Sequence, residues 1–337
     1  MSEVFQLLES ISNRHILVIG DLMLDEYLWG HIERISSEAP VPILKVERRE
    51  STLGGAGNVV KNLRALGMNI SVIGVVGGDE TGQRIMELLE GLGVDTRGVI
   101  RDPCRESTRK ARLMSIEHGQ QVFRLDEESN QAVCGEIEDG IVKLVRELSA
   151  NHQLILCSDY LKGVLTEPVL RATFAAGRET GKKTVVGPKD GDYRKYKGAD
   201  ILMPNLREFA KLVGTTPDGN GWLTSSASHL LRVMELKALV VTRGKEGMTL
   251  FEQRSGHTRC VSVPTAAQSV YDVTGAGDTA LAVFASMVAC GADLELAVRF
   301  ANIAAGIVVG KSGTATVSLE EIQMNLGSEK RLATARK

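Results

Sequence analysis

Along most of the chain, short apolar runs rich in β-branched residues alternate with longer stretches whose apolar positions recur every three or four residues. Runs at 15–20, 70–76, 154–157, 183–186, 201–203 and 238–242 are apolar without a break, as strands are when a sheet buries both faces. Helical spacing predicts helices over 3–12, 59–66, 81–92, 137–148, 168–177, 206–213, 226–234 and 279–289, with a last one opened by the Ser318/Glu321 capping box. Such alternation implies right-handed crossovers and an α/β fold, with a mostly parallel sheet covered by helices on both faces. Two stretches break the rhythm. Residues 40–46 alternate weakly and carry two prolines, which suits an edge strand. Segments 108–115 and 121–125 flank a turn at 117–119, a hairpin pattern. Segments 36–52 and 99–126 are therefore expected to form a small β lid inserted in one domain spanning 1–337. A small sheet of this kind is poorly stable alone and has exposed edges, so pairing with a second subunit is expected.

Composition narrows the class. The 337 residues suffice for a large α/β core, and 43% hydrophobic content with a net charge of −2 describes an ordinary globular protein. Basic residues are scattered apart from the tail Lys330–Lys337, which argues against a nucleic-acid partner. The cysteines, at 104, 134, 157, 260 and 290, are odd in number and far apart, so they read as reduced thiols of a cytoplasmic protein. The first residues lack a signal-peptide pattern, and the longest apolar run, 280–290, falls short of the ~20 residues of a membrane span.

Candidate chemistry gathers at glycine turns and strand ends. Gly275, Ala276 and Gly277 form a turn opening onto the Ala-rich helix from Thr279, and a helix N-terminus with free amides holds anions, phosphate above all. A carboxylate there, Asp278, suits a proton acceptor for a hydroxyl attacking a phosphoryl group; the alternative is a helix cap. A second turn, Gly54 and Gly55 followed by Asn58, also opens onto a helix and lets a sugar approach backbone and amide. Asp21 and Asp25 are placed on the loop after the first strand, and Asp159, Lys162, Lys189, Asn205 and Glu208 just past later strand ends, where open α/β sheets bind ligands. Asn205 and Glu208, three apart at a helix start, either serve a Mg²⁺-nucleotide or cap the helix. Lys110 and Arg112 on the hairpin are candidates to meet an anionic substrate. No GxGxxG follows the first strand, which counts against a nicotinamide enzyme, and the phosphate-loop look-alikes at 74–79 and 306–312 have the wrong spacing.

Three motifs in order, GGAGN at 54–58, NLRE at 205–208 and DVTGAGD at 272–278, closely resemble the ribokinase/PfkB family of carbohydrate kinases over nearly the whole chain. Within it, segments 20–25, 35–42, 158–163 and 270–278 resemble the D-glycero-β-D-manno-heptose 7-phosphate kinases of ADP-heptose and lipopolysaccharide-core synthesis. The resemblance implies a ribokinase-like fold with a β lid, dimerising through that lid, and ATP, Mg²⁺ and in some cases a monovalent cation as cofactors. It implies Asp278 as base, Gly275–Gly277 as anion hole, and Asn205, Glu208, Thr242, Gly244 and Asp272 on the nucleotide, Glu208 toward the metal. Asp25, Gly54, Gly55 and Asn58 would bind the sugar, with Lys110, Arg112, Asp159, Lys162 and Lys189 toward the substrate. One departure is Gly187 before Pro188 and Lys189, where these kinases usually have Asp. Some relatives carry a fused nucleotidyltransferase domain, an activity expected to lie outside this chain.

Overall fold

A strand that alternates its side chains between two apolar layers needs no polar face, and β1 (His15–Gly20) is such a strand: Ile16 and Val18 enter one core while Leu17 and Ile19 enter the other. The protein is seen as a computed structural model describing residues 2–326 except 190–191, 216–220, 255, 268 and 312. Ser312 and the basic tail Lys330–Lys337 lie outside the described residues. Before β1 stands α1 (Ser2–Glu9). After it come β2 (Leu22–Ile35), β3 (Pro42–Gly55), α2 (Ala56–Ala65), β4 (Asn69–Gly77), α3 (Glu80–Gly91), β5 (Asp95–Asp102), β6 (Thr108–Ser115) and β7 (Gln121–Glu127). The chain continues through α4 (Gly135–Ser149), β8 (Leu154–Ser158), α5 (Glu167–Thr180), β9 (Lys183–Gly187), β10 (Ile201–Leu202), α6 (Leu206–Val213) and α7 (Trp222–Val233). It then runs through β11 (Ala238–Thr242), β12 (Met248–Arg254), β13 (His257–Val263), α8 (Ala276–Ala289) and α9 (Leu294–Val308).

The large sheet has the order β13-β12-β11-β10-β9-β8-β1-β4-β5, parallel from β11 to β5 and antiparallel through the β12–β13 hairpin at one edge. One face packs on α2, α8 and α9, the other on α4, α5 and α7. Apart from its first turn, α8 is buried on all sides, which its alanines permit by letting neighbours approach closely. The Ser318/Glu321 capping box forms in both directions. None of the described helices is long and apolar enough to cross a membrane. All five cysteines are free thiols.

A second sheet, β3-β2-β6-β7, stands apart from the first. Two expectations are corrected here, and one element was missed. Asp25 lies within β2 and not on a loop; this long strand carries polar residues on a half-exposed face, so no apolar run announces it. Residues 99–102 finish β5 at the edge of the large sheet, where pairing to β4 outweighs their proximity to the hairpin. The β12–β13 hairpin had no counterpart in the sequence reading, because its polar tip around Glu252–Arg259 obscures two short strands. Pairing of Asp25 with Thr52 and Lys110, and of Tyr27 with Arg112, puts these side chains on one face of the small sheet.

Candidate active site

The site is assembled where two glycine turns meet. Gly275 sits at the N-cap of α8 with φ 77°, a left-handed conformation that favours glycine, and a Cβ there would stand 3.0 Å from Asn58 Nδ2. The N–H of Ala276 turns back onto Val273 O (3.3 Å), so Ala276 offers no amide to an anion. The N–H groups of Gly275 and Gly277 have no such partner among the described residues. On the other side, Gly55 has φ 56° at the start of α2, and a Cβ on Gly54 would lie 2.6 Å from Asp25 Oδ2. Close packing of both turns thus requires the missing side chains.

Asp278, in the first turn of α8, receives two donors. Asn58 Nδ2 donates to Oδ2 at 2.7 Å and the Tyr160 hydroxyl donates to Oδ1 at 2.5 Å. Burial raises the Asp278 carboxyl above its ordinary value, against the opposing pull of Tyr160, Asn58 and the Lys189 charge. Asn58 is 1% exposed, and its Oδ1 is buried without a hydrogen-bond partner among the described residues.

A cavity of about 160 Å³ in front of Asp278 is lined by Asp159, Lys189, Asn205, Glu208, Thr242, Gly275 and Gly277; of the strand-end residues expected together, Lys162 does not line it. Asn205 and Glu208 form a reciprocal capping box on α6: Asn205 Oδ1 accepts from Glu208 N (2.8 Å) and Glu208 Oε2 from Asn205 N (2.9 Å). Glu208 Oε1 accepts from Lys189 Nζ at 3.0 Å, and Lys189 Nζ also lies 5.1 Å from the Tyr160 ring centroid. Asn205, Thr242 and Gly277 are shared with an adjoining, mainly apolar cleft of about 610 Å³ that includes Gly244 and Ala276. Gly187 lines the smaller cavity, and a Cβ there would meet Leu281 Cδ2 at 2.5 Å.

Other expected residues are differently employed. Asp25 pairs with Arg112 at 2.5 Å, and the guanidinium lies 5.4 Å from the Tyr27 ring centroid. Lys110 and Lys162, from different elements, both reach Glu128, each at 2.8 Å. Asp272 lines neither cavity; it accepts from Thr274 N (2.9 Å) and Gly313 N (3.0 Å), shaping the loop before α8. Asp21 is 1% exposed and accepts from the backbone N–H of Tyr160, Lys162 and Val164, so it braces a loop where a ligand contact was expected. Asp159, although it lines the cavity, is bound to Lys195 Nζ (2.6 Å) and the Tyr196 hydroxyl (2.8 Å).

Two residues here were not picked out from the sequence. Tyr160 gives no periodic signal, and its bond to Asp278 spans 118 positions. Lys61, on α2, donates to Thr314 O (2.7 Å) and Thr52 Oγ1 (3.2 Å) and has no carboxylate in contact among the described residues. Burial lowers its ammonium below the ordinary lysine value, although the charges of Asp25 and Asp278 oppose this. Its place one turn after Asn58 was the available clue.

The chain is 50% identical over 314 residues to the bifunctional protein HldE of Geotalea uraniireducens and 45% identical over 325 residues to that of Citrifermentans bemidjiense, matches covering 92% and 96% of this chain. It spans 62% and 66% of those relatives' lengths. Among solved structures, Arabidopsis thaliana ribokinase complexed with ribose and ATP superposes with a TM-score of 0.72 at 21% identity, over 93% of this chain and 98% of that one. Escherichia coli phosphofructokinase-2 in complex with potassium gives 0.78 at 19% identity, over 94% and 98%. These two establish the ribokinase-like fold. The sequence pattern described as pfkB family carbohydrate kinase matches residues 13–322. The chain belongs to the pfkB family of carbohydrate kinases, enzymes that transfer a phosphoryl group to a sugar hydroxyl.

Proposed function

We propose that the chain phosphorylates the anomeric hydroxyl of D-glycero-β-D-manno-heptose 7-phosphate with ATP, giving the 1,7-bisphosphate for ADP-heptose and lipopolysaccharide-core synthesis. The sequence motifs at 20–25, 158–163 and 270–278 and the likeness to HldE support this substrate. The observation that carries the chemistry is Asp278, a half-buried carboxylate beside unpartnered amides at the mouth of α8, between the small cavity and the apolar cleft.

In this reading the apolar cleft takes the nucleotide base, and Asn58, Asp25 and Gly54 hold the sugar. Asp278 accepts the proton of the attacking hydroxyl, whose oxygen forms the new bond to phosphorus as the bond to the ADP oxygen breaks. The N–H groups of Gly275 and Gly277 stabilise charge on the transferred group, an effect worth about 3 kcal/mol for one well-placed donor.

Among the described residues no cluster of three or more metal-ligating side chains occurs. Glu208, a single carboxylate on the cavity, suits an ion that keeps most of its waters and takes other ligands from phosphate oxygens, as Mg²⁺ does. Bound with the nucleotide, Mg²⁺ would neutralise phosphate charge; Glu208 would hold it, with Lys189 then released from its ion pair.

For the sugar phosphate, Lys110 and Lys162 converge on Glu128, and a phosphate could take the place of that carboxylate. Exposed Phe123 and Leu125, 58% and 46% accessible on the small sheet, support a homodimer formed through that sheet. ADP release measured with heptose 7-phosphate, fructose 6-phosphate, ribose and a nucleoside tests the substrate. Preference for heptose 7-phosphate by kcat/KM is expected, and preference for any of the others overturns it.

A further inference from the structure

We infer that Tyr160 is a positioning residue for Asp278, its hydroxyl holding the carboxylate in one orientation and in its ionised form. This rests on the reading of Asp278 as proton acceptor. The two oxygens of Asp278 are distinguished by their donors, Tyr160 on Oδ1 and Asn58 on Oδ2. Each donor takes one lone-pair direction and so restricts where an incoming hydroxyl proton is received.

The loop that carries Tyr160 is built at some cost. Asp21 accepts the N–H of Tyr160 at 2.7 Å, of Lys162 at 3.1 Å and of Val164 at 3.1 Å, while Asp159 accepts that of Leu161 at 2.8 Å. Asp21 is 1% exposed and Asp159 3%, so two carboxylates are spent on one turn inside the fold. Leu161 has φ 57°, a left-handed conformation uncommon outside glycine. Strain of this kind persists where surroundings over-determine it, and here the bonds from Asp21 and Asp159 hold the turn on both sides of Leu161.

The tyrosine is the donor of this pair: burial and the Asp278 charge raise its hydroxyl well above the ordinary value, which favours its protonated form. Among the described residues, the charged groups acting on Asp278 include Asp25 from β2, Lys61 from α2 and Lys189 from the loop after β9, with Glu208 of α6 acting on Tyr160 itself.

The test is the pH profile of kcat/KM for Tyr160→Phe, which keeps the ring and removes the donor. A donor to a carboxylate stabilises its ionised form, so its loss moves the acid limb to higher pH, and kcat above the limb falls about tenfold. KM for ATP stays within twofold. Replacing Tyr160 by 3-fluorotyrosine, a stronger donor of nearly the same shape, moves the limb the other way and serves if the Phe variant does not fold. An unmoved limb in the folded variants overturns the inference. Asp278→Asn is run beside them: if it turns over at the wild-type rate, the base reading itself fails, whereas an inactive Asp278→Asn with unmoved limbs defeats the Tyr160 inference alone.

Discussion

Asn58 and Asp278 lie 220 positions apart and meet at 2.7 Å, the amide Nδ2 donating to the carboxylate. The contact joins the turn that opens α2 to the turn that opens α8, and it leaves Asn58 Oδ1 buried and free for a sugar hydroxyl. On the proposed reading, one side chain both orients the base and meets the sugar.

Asn58→Ala should therefore lower kcat and raise KM for the sugar together. A hydrogen bond to a charged group contributes about 1.5–3 kcal/mol, so kcat/KM should fall by at least about tenfold. Steady-state kinetics with both substrates varied, alongside a thermal melt to show that the fold persists, checks this. A change confined to KM for ATP would contradict it.

The lysine pair on Glu128 gives a prediction of opposite signs. Lys110→Ala and Lys162→Ala should each raise KM for the phosphorylated sugar, and Glu128→Gln should lower it by removing the carboxylate that competes with phosphate. The effects should fade for a sugar lacking the phosphate. If both lysine variants leave KM unchanged, neither holds the substrate.

Much of the fold was legible because its central strands are buried on both faces: an unbroken run such as 154–157 can hardly be anything else. β2 was not, since polar residues interrupt its apolar pattern on a half-exposed face and its register comes from pairing with β3 and β6. The glycine turns announced themselves through residue type. Lys110, Lys162 and Lys189 looked alike as candidates; what separates them is which acids each meets, Asp126 and Glu128 for the first, Glu128 for the second and Glu208 for the third, and that depends on packing between distant elements. Asp21 was misjudged for a related reason: a strand-end acid reads as a ligand until the backbone N–H groups that occupy it are seen.

Lys61 ties α2 to Thr314, beside the Gly275 turn, and to Thr52 at the root of the small sheet. Lys61→Met keeps much of the volume and removes these bonds and the positive charge near Asp25 and Asp278. KM for the sugar should rise several-fold while KM for ATP stays close to wild type. Equal changes in both would show that its role is only to hold the fold.

Asp21→Ala should act on stability first. It leaves three backbone N–H groups without their acceptor in a buried loop, each worth about 1–3 kcal/mol, so a loss of at least about 3 kcal/mol is expected in urea unfolding. A smaller loss than about 1 kcal/mol would mean the loop finds other partners.

Single-turnover phosphoryl transfer by purified Asp278→Asn, folded and saturated with ATP and heptose 7-phosphate, bears most directly on the mechanism. General-base catalysis supplies roughly 10²–10⁴-fold, so the rate should drop by that factor while both substrates still bind. Transfer at the wild-type rate would show that the proton leaves by another route and that Asp278 is not the base.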